Sequence, residues 1–231
     1  MSRYTLVYCF SKKLAFSEER YTTSLNLLKK SVQLSSKLYP VKVYTDDITA
    51  EDLSLLDVDV INLGILDLIF VDDFKVHLLG LLEENELFVD SDVLIHRELT
   101  LDFTKDLIFD FIDSPNSFWY NESFEKLNTT SIKSHLDSIG KVNIVPNLGF
   151  LKITNSTLLR EYKKQYLKLR SLLLAEAIEI KPVGQFSMVL GQYLLGIVLN
   201  QDNYSYFSIG THNDDSTYKH LSGPVKFQKK Q

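Results

Sequence analysis

Strand-like and helix-like segments alternate three times within the first ninety residues, and this alternation constrains the fold more than any other feature. Runs of β-prone apolar residues predict strands at residues 4–10, 41–44, 60–63 and 87–89. Segments with helical spacing of apolar residues lie between them, at 18–38, 51–56 and 72–82. This order is typical of right-handed βαβ units. We therefore predict an α/β fold, with a mostly parallel central sheet flanked by helices.

The chain after about residue 100 is less regular but contains no convincing linker or repeat. A strand is predicted at residues 149–153, a long helix at 156–177 with Asn155 or Ser156 as its cap, and a further helix at 185–199. A chain of 231 residues, 45% of them apolar, can bury one sizeable core. We therefore expect a single domain over residues 1–231, with a regular half at 1–100 and a second half at 101–231.

Charge and composition argue against several classes of protein. The net charge of -5 argues against nucleic acid as the main partner, because phosphate-backbone binding requires a basic surface. A single cysteine, Cys9, excludes an intrachain disulfide and fits a reducing compartment. The sequence has no signal-peptide pattern and no transmembrane segment of sufficient apolar length. We expect a cytoplasmic protein.

Two aspartates one residue apart, Asp90 and Asp92, follow the predicted strand at residues 87–89. In parallel α/β sheets, ligands bind beyond the carboxyl ends of the strands. Aspartate is seldom buried unless it is paired or bound to a metal, and oxygen ligands favour Mg²⁺ or Mn²⁺, which can bridge two carboxylates to a diphosphate. A solvated turn with two capping aspartates is the alternative. The residues by themselves leave both interpretations open.

Three short segments resemble the glycogenin and lipopolysaccharide-galactosyltransferase family. The first runs from the helix that carries Lys75 to the strand that ends in Asp90-Ser91-Asp92. The second, residues 220–226, is similar to that family's closing His-x-x-Gly-x-x-Lys motif. The third and weaker one contains Asn147 and resembles the family's Asn-x-Gly strand beside the acceptor site. The resemblance implies a Rossmann-like GT-A glycosyltransferase domain. Residues 1–100 would then form its nucleotide-sugar-binding half, and residues 101–231 its acceptor-facing half with a C-terminal closing segment.

The same resemblance implies a metal site made of Asp90, Asp92 and His220, with Mn²⁺ or Mg²⁺ as its ion. Imidazole is a good third ligand for Mn²⁺-like ions, and Asp92 would have a catalytic role through the ion. The other residues implied to bind the donor are Lys75, Ser91, Gly223 and Lys226. The ammonium of a lysine would offset charge on the leaving diphosphate, and a glycine lets backbone amides approach a phosphate. For Lys75, a surface lysine on a helix is the alternative.

Departures from the family pattern affect the base site and the reaction centre. The first strand ends in Tyr8-Cys9-Phe10, so we predict that Tyr8 or Phe10 stacks on the nucleobase. The family's acidic-Gln pair falls at Gly184-Gln185, which leaves Gln185 as a catalytic candidate without its acid. If the reaction inverts the anomeric configuration, a base is needed on the acceptor side, for which Glu122 and Asp113 are the candidates.

Together these features predict a metal-dependent glycosyltransferase. It would move a sugar from a nucleotide-diphosphate sugar to a hydroxyl of a glycan or other acceptor, as in polysaccharide biosynthesis. A nucleotidyltransferase would also use paired aspartates with Mg²⁺, but it usually has a glycine-rich basic loop after the first strand, and residues 11–13 contain no glycine. A non-catalytic nucleotide- or carbohydrate-binding relative is the second alternative.

Overall fold

The computed structural model describes residues 4–15, 17–127, 130–176, 186 and 188–221. Seven strands form its central sheet. They are β1 (Thr5–Phe10), β2 (Val41–Thr45), β3 (Asp59–Asn62), β4 (Glu86–Val89), β6 (Leu107–Phe109), β9 (Phe150–Ile153) and β10 (Tyr206–Ser208). Two pairs of short strands lie outside it, β5 (Val93–Ile95) with β11 (Tyr218–His220), and β7 (Ile112–Asp113) with β8 (Val145–Pro146).

The order of strands across the central sheet is β10-β6-β9-β4-β1-β2-β3. Strand β1 pairs in parallel with β2 and β4, and β2 pairs in parallel with β3. Strand β9 runs antiparallel to both of its neighbours, β4 and β6. The prediction of a mostly parallel sheet is confirmed, and the antiparallel strand separates the first four strands from β6 and β10.

Seven helices surround the sheet in the described part of the chain. They are α1 (Glu18–Ser35), α2 (Ala50–Leu53), α3 (Val71–Leu78), α4 (Phe118–Lys126), α5 (Thr130–Ile139), α6 (Ser156–Ala175) and α7 (Leu194–Gln201). A π-helical turn, Val189–Tyr193, leads directly into α7, where the sequence predicts one continuous helix. Helices α4 and α5 were not predicted from the sequence. Among the described residues, no helix combines the length and apolar character needed to cross a bilayer.

The two faces of the sheet bury two separate cores. Along β1, Val7 belongs to the core beneath α3, α6 and α7, whereas Leu6 and Tyr8 belong to the core beneath α1. Because successive side chains of a strand point to opposite faces, a strand buried on both sides must be apolar at nearly every position. This requirement explains why β1 and β4 show continuous apolar runs instead of alternation.

Helix α6 shows how local sequence fixes an element. The Asn155 side chain accepts hydrogen bonds from the amides of Thr157 and Leu158, which confirms it as the N-cap. Residues at a helical spacing on one side of α6 are buried, namely Leu158, Tyr162, Tyr166, Leu169 and Leu173. These residues form a stripe along α6 that packs against the core.

Candidate active site

The site lies at the carboxyl ends of β1 and β4, which are adjacent and parallel. Residues that follow these strands therefore meet at one edge of the sheet. A pocket of about 380 Å³ opens there. It is lined by residues 9–11 at the carboxyl end of β1, by residues of α3, by residues 90–92 after β4 and by Met188 and Gln192. The sheet edge that was expected to bind a ligand is thus a concave surface of a size suited to a small molecule.

Asp90, Asp92 and His220 come together beside this pocket. One ligand atom from each lies within 4.8 Å of the others, which makes the trio a possible metal site. Strand β11 brings His220 there because it pairs antiparallel with β5, placing His220 opposite Val93. The amide of Leu221 also donates to the carbonyl of Asp92 at 3.0 Å. A short backbone ladder therefore joins two distant parts of the sequence at the aspartates.

A buried aspartate orients the imidazole of His220. Nδ1 of His220 lies 2.7 Å from Oδ2 of Asp110, while Nε2 lies 3.5 Å from Oδ1 of Asp92. Nδ1–H of His220 donates a hydrogen bond to the carboxylate of Asp110, so Nε2 faces Asp92. Nε2 is then the nitrogen that could bind a metal ion. Burial lowers the pKa of His220, but the carboxylates of Asp110 and Asp92 raise it by more than burial lowers it. The net effect is a pKa of about 10. A metal ion would therefore replace a proton at Nε2.

Asp110 was not identified from the sequence, although a signal for it exists. Asp110 follows an apolar run of three residues, Leu107–Phe109, just as Asp90 follows β4. Its carboxylate is fully buried and also accepts a hydrogen bond from the hydroxyl of Tyr218. Strand β11 thus contributes both the candidate ligand His220 and the hydroxyl of Tyr218, which holds the Asp110 carboxylate in place.

Gly149 makes this arrangement possible. A Cβ atom at this position would lie 2.4 Å from Oδ2 of Asp110 and 2.7 Å from the His220 ring, distances that real Cβ atoms do not tolerate. The Gly149 carbonyl accepts the amide of Asp90 at 2.8 Å, and its own amide donates to Oδ1 of Asn147 at 3.1 Å. The Asn-x-Gly segment therefore packs against Asp110 and His220 and hydrogen-bonds to the backbone of Asp90.

The donor atoms fit a divalent cation. Two carboxylates and one imidazole nitrogen suit Mn²⁺ and similar first-row ions, whereas Mg²⁺ prefers oxygen ligands throughout. Metal-to-ligand bonds of about 2.1 Å place ligand atoms at most about 4.2 Å apart, so a small contraction of the trio would complete the coordination. Asp90, Asp92 and His220 are the residues that could hold the ion.

Lys75 is a buried residue of the site and does not lie on the surface. Its ammonium lies 2.9 Å from both carboxylate oxygens of Asp90 and 5.4 Å from the centre of the Phe88 ring. Burial lowers the pKa of Lys75, but the carboxylates of Asp90 and Asp72 raise it by more than burial lowers it. The ammonium therefore stays charged. The alternative of a surface lysine is therefore wrong, and Lys75 offsets part of the negative charge of the aspartates.

The remaining residues predicted to bind the donor take different places. Phe10 and Ser91 line the pocket. Tyr8 does not: its ring is fully buried in the core, and its hydroxyl hydrogen-bonds to Ser35 at 2.7 Å and Ser31 at 3.2 Å. The proposed stacking of Tyr8 on a base is therefore corrected, because alternation along β1 turns Tyr8 towards α1. Cys9 borders the pocket, and burial raises the pKa of its thiol, so the thiol remains protonated.

The candidate bases lie away from the pocket lining. Asp113 is partly buried, accepts a hydrogen bond from Nδ2 of Asn147 at 3.2 Å and lies 3.4 Å from the hydroxyl of Tyr120. Burial raises the pKa of Asp113. Glu122 lies on α4 and is not among the described residues that line the pocket. Gln185, Gly223 and Lys226 fall outside the described residues.

Two further pocket residues, Asp72 and Gln192, were not identified from the sequence. Burial raises the pKa of Asp72 to about 6, although the Lys75 ammonium opposes the shift. The side-chain carbonyl of Gln192, in the π-helical turn, accepts a hydrogen bond from Tyr120 at 2.6 Å. Such turns occur frequently at functional sites. Both residues appear unremarkable in sequence, because α3 and the turn bring them to the pocket only through tertiary packing.

Solved structures with a similar fold include a bacterial glycosyltransferase. The glycosyltransferase GlyE of Streptococcus pneumoniae TIGR4 superimposes with a TM-score of 0.50 at 16% identity, covering 90% of this chain and 45% of that one. Its apo form gives 0.43 at 17% identity over the same shares. The chain thus spans less than half of GlyE. No family profile and no curated protein matches it. The likeness shows a Rossmann-like glycosyltransferase fold, and does not single out the glycogenin family.

Proposed function

We propose that the chain is a glycosyltransferase that uses a divalent cation, with Mn²⁺ favoured over Mg²⁺, to transfer a sugar from a nucleotide-diphosphate donor to a hydroxyl of a glycan or similar acceptor. The observation that carries the proposal is the Asp90–Asp92–His220 trio at the mouth of a pocket at the carboxyl ends of parallel strands. A cytoplasmic setting and a role in polysaccharide biosynthesis, both expected from the sequence, belong to the same proposal.

The residues of the pocket suit the parts of such a donor. Phe10, Leu14 and Ala15 give one wall an apolar surface that a flat base could contact. The trio would hold a cation, which, when bound, stabilises negative charge on the departing diphosphate. Lys75, charged and buried beside Asp90, adds a second positive group close to the same phosphates. Asp90 then shares its charge between the ion and the ammonium.

Nucleotide binding with and without metal tests the proposal. We expect UDP or GDP, measured by titration calorimetry, to bind at least tenfold more tightly in Mn²⁺ than in chelator, because two aspartates without a cation repel the phosphates. Asp92→Asn should remove this metal dependence. Asp57→Asn, which neutralises an exposed aspartate outside the pocket lining, should keep it. Equal affinity in both conditions for the wild-type protein would contradict the proposal.

Product analysis separates the proposed function from its alternatives. A glycosyltransferase incubated with nucleotide sugars and Mn²⁺ releases a nucleoside diphosphate by slow donor hydrolysis. A nucleotidyltransferase given a nucleoside triphosphate and a sugar phosphate releases pyrophosphate. Metal-dependent binding without either product would favour a non-catalytic relative.

A further inference from the structure

The carboxylate of Asp72 occupies an unusual place in the wall of the pocket. It lies on α3, one turn before Lys75, and is only 5% exposed. It packs so closely against the π-helical turn that a Cβ atom on Gly191 would lie 2.1 Å from Oδ2 of Asp72. The absence of a side chain at Gly191 therefore leaves the space that the carboxylate fills.

This carboxylate is incompletely satisfied by the protein. In the parts of the chain that the structure describes, its ion-pair partner is the Lys75 ammonium at 3.7 Å, which is longer than a hydrogen bond. Lys75 itself is held closer, at 2.9 Å, by Asp90. Buried carboxylates normally accept several hydrogen bonds, so the remaining acceptor capacity of Asp72 faces the pocket it lines.

The same pocket wall also carries a hydrogen-bond donor. Gln192 follows Gly191 directly and lines the same pocket. Because the Gln192 carbonyl accepts the hydroxyl of Tyr120 at 2.6 Å, the amide is oriented and its NH₂ group remains as a donor. A carboxylate and an amide in the wall of one pocket are complementary to the hydroxyl groups of a sugar ring, each of which both donates and accepts.

The position of Asp72 along the site matches the position of a sugar. Lys75 bridges Asp72 and Asp90, so the carboxylate of Asp72 is separated from the metal trio by a single ammonium group. In a nucleotide-diphosphate sugar, the sugar is attached to the second phosphate and lies beside the metal-bound diphosphate. The group nearest to Asp72 would therefore be the sugar, and not the base.

We infer that Asp72 is a specificity-determining residue that selects donors whose transferred sugar is neutral and hydroxylated. Its carboxylate accepts a hydrogen bond from a sugar hydroxyl, and its negative charge, held in a poorly solvated wall, disfavours a sugar that carries a carboxylate of its own. The inference rests on the proposed function and deepens it, because it names the class of sugar that the pocket takes.

Three ligands that share one base test the inference by calorimetry in Mn²⁺. With uridine they are UDP, UDP-glucose and UDP-glucuronic acid; with guanosine they are GDP, GDP-mannose and GDP-mannuronic acid. We expect the wild-type protein to bind the neutral sugar donor about tenfold or more tightly than the uronic acid. Asp72→Asn should weaken the neutral donor about tenfold and reduce the preference over the uronic acid, while the affinity for the nucleoside diphosphate changes less than about twofold.

Controls separate this role from others. Asp72→Ser supplies a second uncharged variant, Asp57→Asn should leave all three affinities unchanged, and thermal melting checks that each variant is folded. If Asp72→Asn weakens the nucleoside diphosphate as much as the sugar donor, Asp72 acts through Lys75 and the inference is wrong. Equal wild-type affinity for the neutral and acidic donors would also overturn it. Failure of every nucleotide to bind in Mn²⁺ would instead overturn the proposed function itself.

Discussion

At the scale of single residues, the candidate metal site depends on how His220 is held. The imidazole makes a 2.7 Å contact with a fully buried carboxylate, that of Asp110, and this contact turns Nε2 towards Asp92. Supporting carboxylates of this kind raise the basicity of a ligating histidine and fix its tautomer. Asp110 is thus a positioning residue that would act on the ion through His220.

We expect Asp110→Asn to lower the affinity for Mn²⁺ by about 10- to 100-fold, because the amide cannot support the imidazole as a carboxylate does. Electron paramagnetic resonance of free Mn²⁺ measures this change directly. Tyr218→Phe removes the other side-chain hydrogen bond to Asp110 and keeps the contact with His220, so its effect should be smaller. An Asp110→Asn protein that binds Mn²⁺ as the wild type does would show that Asp110 does not support His220 as a metal ligand.

A second prediction at this scale concerns the cost of keeping Asp72 charged. Burial raises its pKa in the folded protein to about 6, from an ordinary value of 3.8. The folded state therefore holds the proton more tightly, and the wild type loses stability as the pH rises from about 4 through 6. At pH 7.5 the unfolding free energy of Asp72→Asn should exceed that of the wild type by up to about 3 kcal/mol. The variant should therefore melt at a higher temperature.

The advantage of Asp72→Asn should fall below about 1 kcal/mol near pH 4, where the wild-type carboxyl is protonated in the folded state and about half protonated in the unfolded state. Thermal melts at pH 4, 6 and 7.5 provide the measurement. The same offset at every pH would show that ionisation of Asp72 does not limit stability. A more stable but less selective variant would fit the general trade-off between stability and activity in functional sites.

At the scale of elements, the sequence predicts those parts whose hydrophobic pattern is local and strong. The first four strands and α1, α3 and α6 are predicted to within a few residues, because buried parallel strands and amphipathic helices leave distinct periods. Helix α4 was missed because its segment is polar and rich in aromatic residues and so lacks a clear apolar stripe. Helix α5 was also missed, although Ile132, Leu136 and Ile139 stand at helical spacing in its sequence. The π-helical turn at Val189–Tyr193 was read as ordinary helix, because its spacing depends on contacts with Asp72 and Tyr120.

In the candidate site, too, residues with a local signal in the sequence were predicted and residues brought in by tertiary packing were not. Asp90 and Asp92 are visible in sequence because a charged pair after an apolar strand is unusual, and His220 was found through a motif at a fixed spacing. Asp110, Asp72 and Gln192 were not identified, since each becomes part of the site only when the sheet and α3 are assembled. Tyr8 was misplaced because the alternation of side chains along β1 is decided by the packing of α1 and not by residue type.

Strand β11 provides a prediction at the element scale, because adjacent residues on it point in different directions. His220 faces the aspartates, while Lys219 is exposed. His220→Ala should remove most metal-dependent nucleotide binding, and Lys219→Ala should leave it within about twofold. Calorimetry with UDP or GDP in Mn²⁺ measures both. A larger loss for Lys219→Ala would indicate that β11 contributes through surface charge and not through a ligand.

At the scale of the whole molecule, an ion at the trio would connect the first sheet strands to a strand near residue 220. An ion that binds only the folded state stabilises it by about 2.7 kcal/mol at one hundred times its dissociation constant. We therefore expect Mn²⁺ to raise the melting temperature and EDTA to reverse the rise. Asp92→Asn should abolish the shift, and Asp57→Asn should retain it. A shift that survives in Asp92→Asn would place the ion elsewhere.

The pairing of β5 with β11 also has a consequence for the timing of biosynthesis. A ribosome extends a chain by about 5–20 residues per second, so His220 is added roughly 6–25 s after Asp92. During this interval the early βαβ units can already fold, yet the acidic pair lacks both its third ligand and the strand that secures it. A nascent chain that has not reached His220 is therefore expected to bind the donor only weakly, and activity should arise only after β11 has paired with β5.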